Sequence, residues 1–180
     1  MDKVSISVED LVMQPFDCFG PQGALLVCGP DAVHANPMTI GWGTFGIMWS
    51  KPVVMVMVRP TRHTHSLIAQ AHDFTVNWLP EKYAQALQVC GSVSGRDKDK
   101  FALAGLHPVK AALVQSPVVE ESILSLEARI IYRSQTDPEL FTDKALLSCY
   151  NAALKDYHGL FFGEVVAATG LKKFCRRGKG

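Results

Sequence analysis

The chain has 180 residues, 48% of them apolar and 19% charged, with a formal net charge of +1. That length reads as one domain, residues 1–180, large enough for a real core. The apolar share excludes disorder for the body of the chain, and the near-zero charge argues against a nucleic-acid footprint.

The first ten residues, MDKVSISVED, carry no apolar leader segment, so no secretory signal is expected and the chain is read as cytoplasmic. Six segments read as strands. ALLVCG (24–29) is a short apolar run ending at a Gly-Pro turn. MTIGWGTFG (38–46) is extended, with glycines where something approaches the backbone closely. PVVMVMV (52–58) starts on Pro and is apolar on both faces, as in a buried strand. It is also the longest strongly apolar run, and it is far too short to span a bilayer. DFTVNWL (73–79) follows. In ILSLEARIIYR (123–133), Leu124, Leu126, Ala128, Ile130 and Tyr132 share one face and Ser125, Glu127, Arg129 and Arg133 the other, a period of two. GLFFGEVVAA (159–168) is apolar except for Glu164.

Helical spacing is read at 62–71, 81–89, 97–105 and 142–157. The tail LKKFCRRGKG (171–180) carries five basic residues and reads as a flexible, solvated end. Five cysteines, at 18, 28, 90, 149 and 175, form no CxxC pair and read as reduced thiols, with no metal site expected. Strands without a regular strand–helix alternation predict a mainly β fold, a barrel with short peripheral helices.

Gly41, Gly43 and Gly46 spell GxGxxG. A dinucleotide fingerprint needs a helix opening at it and an acidic residue about 20 positions on. Pro52 and the β-branched residues after it exclude that helix, and no Asp or Glu stands between Asp31 and Asp73. The match is a coincidence. The glycines sit in an extended segment, where missing side chains leave backbone N–H and C=O groups open to a flat ligand.

Next along the chain, VRPTRHTHSLI (58–68) crowds Arg59, Arg62, His63, Thr64, His65 and Ser66 into eight residues at a helix start. Two arginines beside free helix N–H groups point to a phosphate dock; a solvated basic helix start is the alternative. His63 and His65 have no local carboxylate or cysteine to complete a metal shell.

NPMTIGWG, RPTRHTHSLI, DFTVN, SGRDKDKFALAGL and HGLFFGEV, in that order, resemble the flavin reductase-like, FMN-binding split-barrel family, most of all its short flavoredoxin-type members. The resemblance runs from about residue 15 to 168. It implies a six-stranded split β-barrel, a homodimer and FMN near the subunit interface. It also implies either flavin reduction by NADH or NADPH, or electron carriage on a retained FMN to a protein redox partner. A split barrel that binds pyridoxal phosphate or haem is the further alternative.

Carried over position by position, the resemblance assigns Asn36, Met38, Thr39, Gly41, Trp42 and Thr44 to the isoalloxazine and ribityl chain. Arg62, His63 and Thr64 go to the phosphate turn, with Arg59 as a second cation and Lys100 near the phosphate. His158 is placed beside the nicotinamide or flavin ring, and Asn77 supports its strand without touching ligand. Three assignments have structural alternatives: a barrel-core Trp42, an exposed helix Lys100 and an interface His158. Two positions depart from the family pattern. DYHG stands where Gly-Asp often precedes the histidine, and Glu127-Ala128 replaces a frequent Glu-Cys.

Overall fold

The computed structural model describes residues 2–20, 22–151 and 153–176. All six strand segments read from the sequence are present, within an antiparallel sheet of eight strands: β1 (Lys3–Ile6), β2 (Ala24–Cys28), β3 (Asn36–Ile40), β4 (Gly43–Met48), β5 (Lys51–Val58), β6 (Asp73–Trp78), β9 (Leu124–Gln135) and β10 (Gly159–Leu171). The additions are β1 and the division of 38–46 into β3 and β4 at Gly41–Trp42. A two-stranded ribbon, β7 (Pro108–Val109) with β8 (Val118–Val119), lies apart.

The sheet order is β3-β2-β6-β9-β10-β5-β4. Its two outermost strands are therefore joined by two residues only. A link that short spans roughly 10 Å at full extension, so the sheet has to curl until its edges face one another. They do not pair, which makes the barrel split. β10 serves two strands along one edge: Gly159–Glu164 pairs with β5 and Ala168–Leu171 with β1. Register shifts against β9 at Phe162/Gly163 and Val165/Ala167 let this long strand bend.

Alternation decides what lies inside. Leu26 of β2 joins Val54, Val56, Phe74, Leu126 and Phe161 in the barrel core. Its neighbours Leu25 and Val27 point the other way, beneath Leu87 and Cys90 of α3 (Ala84–Ser92) and Phe101 of α4 (Lys100–Ala104). β2 is thus buried on both faces, which is why it reads as an unbroken apolar run. Fully burying each such side chain contributes roughly 1.5–3 kcal/mol. This packing also fixes the C-terminal end of α3 beside β3.

The polar face of β9 is covered at two positions. Glu127 accepts from the amides of Ala112 and Leu113 at 2.9 and 2.6 Å. Ser125 donates to Asn77 Oδ1 at 2.8 Å. Asn77 also accepts from the Val119 amide, at 3.1 Å, so it holds the β7–β8 ribbon against the barrel.

The remaining helices are short: α1 (Pro15–Cys18) and α2 (His63–Ile68). The helix expected over 142–157 is a 3-10 segment, Lys144–Cys149, followed by extended Tyr150. The Asp143 side chain accepts from the Ala145 amide, and Asn151 from those of Ala153 and Leu154. The first bond caps the start of the 3-10 segment, and those to Asn151 compete with a helix continuing past Tyr150. In the tail, a bridge pairs Leu11 with Cys175, and the Arg176 amide donates to Asp10 at 2.7 Å; residues 177–180 lie outside the described residues. All five cysteines are free. No described helix is long and apolar enough to cross a membrane.

Candidate functional site

Two cavities meet where β3, β5 and the start of α2 converge. The larger, about 340 Å³, is walled by Met38, Gly41, Trp42, Met57, Arg59 and His158, with Thr39 and Ile40 along β3. The smaller, about 100 Å³, lies among Asn36, His63, Thr64, Lys100 and the loop Ser92–Arg96. Met38, Thr61 and Arg62 belong to both, so the two form one elongated site.

The small cavity is cationic by construction. Lys100 is 4% exposed, and its Nζ donates to the Cys90 carbonyl at 2.8 Å. Arg62 donates to the Gly91 carbonyl, and Arg96 to that of Thr61 at 3.3 Å. Lys100 and Arg62 therefore cap the C-terminal carbonyls of α3, a favourable place for cations. Among the described residues none of the three makes an ion pair with a carboxylate, so their charge is left for an anion. Burial first, and then neighbouring Arg62, push the Lys100 ammonium down to about 8; proximity to Cys90 opposes this. Burial lowers the His63 pKa as well, helped by Arg96 and Lys100 and opposed by Asp97.

Asn36 is buried, and its amide donates to Thr64 Oγ1 at 2.7 Å, which ties β3 to α2. Gly95 crosses so close that a Cβ there would lie 1.8 Å from Asn36 Oδ1. Only glycine lets the 92–96 loop wrap this end of the site.

The large cavity is ordered by a different cation. Arg59 pairs with the buried carboxylate of Asp156, donates to the Cys149 carbonyl at 2.6 Å, and lies 5.2 Å from the Tyr150 ring centroid. Its charge is engaged here and it does not reach the small cavity. Burial works to raise the Asp156 carboxyl, but the Asn151 amide and Arg59 outweigh it and hold it below the usual range. His158 is buried, with Nδ1 3.1 Å from the Tyr150 hydroxyl and its ring 5.2 Å from that of Trp42. Burial first, then Arg59, lower its pKa to about 4 against the pull of Asp156. The ring is neutral at physiological pH.

Of the residues singled out in the sequence, Asn36, Met38, Thr39, Gly41, Trp42, Arg59, Arg62, His63, Thr64, Lys100 and His158 all line the joined site. Thr44 does not: it is exposed on β4, opposite Met55. Trp42 is 45% exposed at the cavity wall and is no core residue. Gly43 is required by packing, since a Cβ there would meet the Met55 carbonyl at 2.8 Å and the Phe19 ring at 2.9 Å. Sequence reading missed Met57, Thr61 and the loop Ser92–Arg96. That loop carried a signal of its own, SVSGR, a small-residue run ending in a cation.

A family model described as the flavin reductase like domain matches residues 19–174. An uncharacterized protein of Archaeoglobus fulgidus is 28% identical over 133 residues, 73% of each chain. The flavoredoxin of Desulfovibrio vulgaris (Miyazaki F) superposes with a TM-score of 0.64 at 23% identity, over 85% of this chain and 72% of that one. The NADH:FAD oxidoreductase SgcE6 of Streptomyces globisporus C-1027 gives 0.61 at 20% identity, over 86% and 79%. At these identities the two solved structures show a shared fold.

Proposed function

The chain belongs to the flavin reductase-like family, and from that premise we propose that it binds FMN along the joined cavities and draws reducing equivalents for it from NADH or NADPH. The observation that carries the reading is a carboxylate-free trio of cations, Arg62, Arg96 and Lys100, opening directly into a cavity wide enough for a flat ring. Ligand cavities are typically about 300–1,000 Å³, and the larger of the two falls in that range on its own.

The donor set fits a flavin mononucleotide. Arg62, Arg96 and Lys100 would take the phosphate by charge-assisted hydrogen bonds, with the Ser92–Gly95 loop around it. Asn36 and Thr64 lie on the way to the ring end. Gly41 offers open backbone there, between the apolar walls of Met38, Met57 and Trp42. When bound, FMN supplies the electron-accepting ring. The chain supplies alignment and exclusion of water, and neutral His158 stands at the wall as a positioning group, since transfer between two cofactors needs orientation more than an acid.

A flavoredoxin-like carrier that retains FMN and serves a protein redox partner is the second reading, favoured by the same three cations, which oppose release. Pyridoxal phosphate loses support because the Lys100 amine sits at the anion end, bonded to Cys90, away from the ring end. A homodimer and a reducing, cytoplasmic setting complete the proposal; five free thiols suit that compartment.

Anaerobic mixing of the FMN-loaded protein with NADH or NADPH tests it. Bleaching of the flavin within seconds supports the reductase. Absence of bleaching with either nucleotide, together with dithionite reduction and reoxidation by a protein acceptor, moves the assignment to the carrier.

A further inference from the structure

Tyr150 does not itself line the large cavity; it contacts His158, which does, from extended backbone within the segment 142–157 whose spacing predicts a helix. Its hydroxyl lies 3.1 Å from His158 Nδ1, and the two rings meet edge-on with centroids 5.4 Å apart. On its other side Arg59 lies over the Tyr150 ring, and Arg59 is itself held by Asp156. Phe141 and Tyr157 pack against the same ring, at 6.0 and 5.0 Å. Four side chains therefore fix the position of one hydroxyl.

We infer that the Tyr150 hydroxyl donates to Nδ1 of His158 and thereby holds the neutral imidazole with its proton on Nε2, as a hydrogen-bond donor to the cavity. Heavy-atom positions alone leave the tautomer open, so the direction follows from the partners. A phenol can donate or accept, whereas a neutral imidazole has one nitrogen of each kind. Among the described residues the Tyr150 hydroxyl has no other hydrogen-bond partner, so Nδ1 is the only protein acceptor for the phenolic proton. If Nδ1 carried a proton instead, that phenolic proton would have no protein acceptor in a half-buried place. The overlying guanidinium adds to this, since a cation near a phenol strengthens it as a donor. Nε2 then has no protein partner among the described residues and belongs to the cavity that His158 lines. The group presented there is a donor, suited to a carbonyl oxygen or an unprotonated ring nitrogen. Tyr150 is thus a positioning residue. Its tautomeric effect is independent of what fills the cavity; its use against a bound ring rests on the proposed function.

NMR of flavin-free protein carrying 15N-labelled histidine tests this, with His158→Gln assigning the resonances. Near neutral pH the wild type should show a protonated Nε2 and an unprotonated Nδ1. Tyr150→Phe keeps the ring contacts and removes only the hydroxyl, so it should replace the single tautomer with an averaged pattern. A protonated Nδ1 in the wild type overturns the inference, whether or not the variant folds. So does a folded Tyr150→Phe protein with an unchanged pattern. Neither outcome bears on whether FMN binds, which calorimetry reads separately.

Discussion

The Lys100 ammonium stands 2.8 Å from the carbonyl of Cys90, buried, and pairs with no carboxylate among the described residues. Its pKa near 8 in the free protein sets a pH window for anion binding. Below that value the lysine is charged and attracts a phosphate. As pH rises through 8 the free protein loses the charge, and binding has to restore the proton. FMN affinity should therefore fall between pH 7.5 and pH 9, by up to about tenfold per pH unit. Calorimetry at several pH values checks this, and Lys100→Met should flatten the profile while lowering affinity throughout. A wild-type affinity that is level across the window would remove Lys100 from the phosphate.

Arg62 joins the two cavities and caps Gly91. Arg62→Ala should weaken FMN binding by about ten- to a hundredfold, the equivalent of roughly 1.4–2.8 kcal/mol. Riboflavin lacks the phosphate and should bind the wild type more weakly than FMN, each lost charge-assisted bond contributing roughly 1.5–3 kcal/mol. Changes at His34 or His107, which pair with Asp31 and Glu121 on the surface, should leave affinity unaltered. Equal affinity for riboflavin and FMN would count against the anion dock as a whole.

Arg59 behaves differently because its charge is already used. Arg59→Ala should leave the ratio of FMN to riboflavin affinity close to that of the wild type. It should loosen the loop from Cys149 to Asp156, since it removes the partner of Asp156, the donor to Cys149 and the cation over Tyr150. Faster amide exchange confined to that loop is the expected readout. A collapse of the FMN-to-riboflavin ratio would instead put Arg59 on the phosphate.

An exposed aromatic patch supports the proposal of a homodimer. Trp49, 58% exposed at the β4–β5 turn, packs edge-on against Tyr132 and Phe162, with Ile47 exposed nearby on β4. Contiguous apolar surface of this kind marks an interface. Light scattering at micromolar concentration should give twice the chain mass, and Trp49→Asp should shift it toward one. A wild-type monomer that still holds FMN would argue against a shared site.

What the sequence determined by itself was local. Period-two alternation and β-branched runs located the barrel strands, because side-chain direction in a strand depends only on neighbouring residues. The Arg-x-x-Arg-His-Thr turn was legible for the same reason, with its cations and its helix start contiguous. Where each cation went was decided by residues far away in the chain. Arg59 is claimed by Asp156, 97 positions on, and Arg62 by a helix end 29 positions on. The loop Ser92–Arg96 meets Asn36 only because α3 packs on the outer face of β2. Tyr150 lies in a segment whose spacing predicts a helix; Asp143 caps only a short 3-10 start, the side chain of Asn151 bonds locally to the amides after it, and extended backbone at Tyr150 carries the ring to His158. Such pairings follow from how the sheet curls to bring β3 beside β4, a closure that no short window of sequence contains.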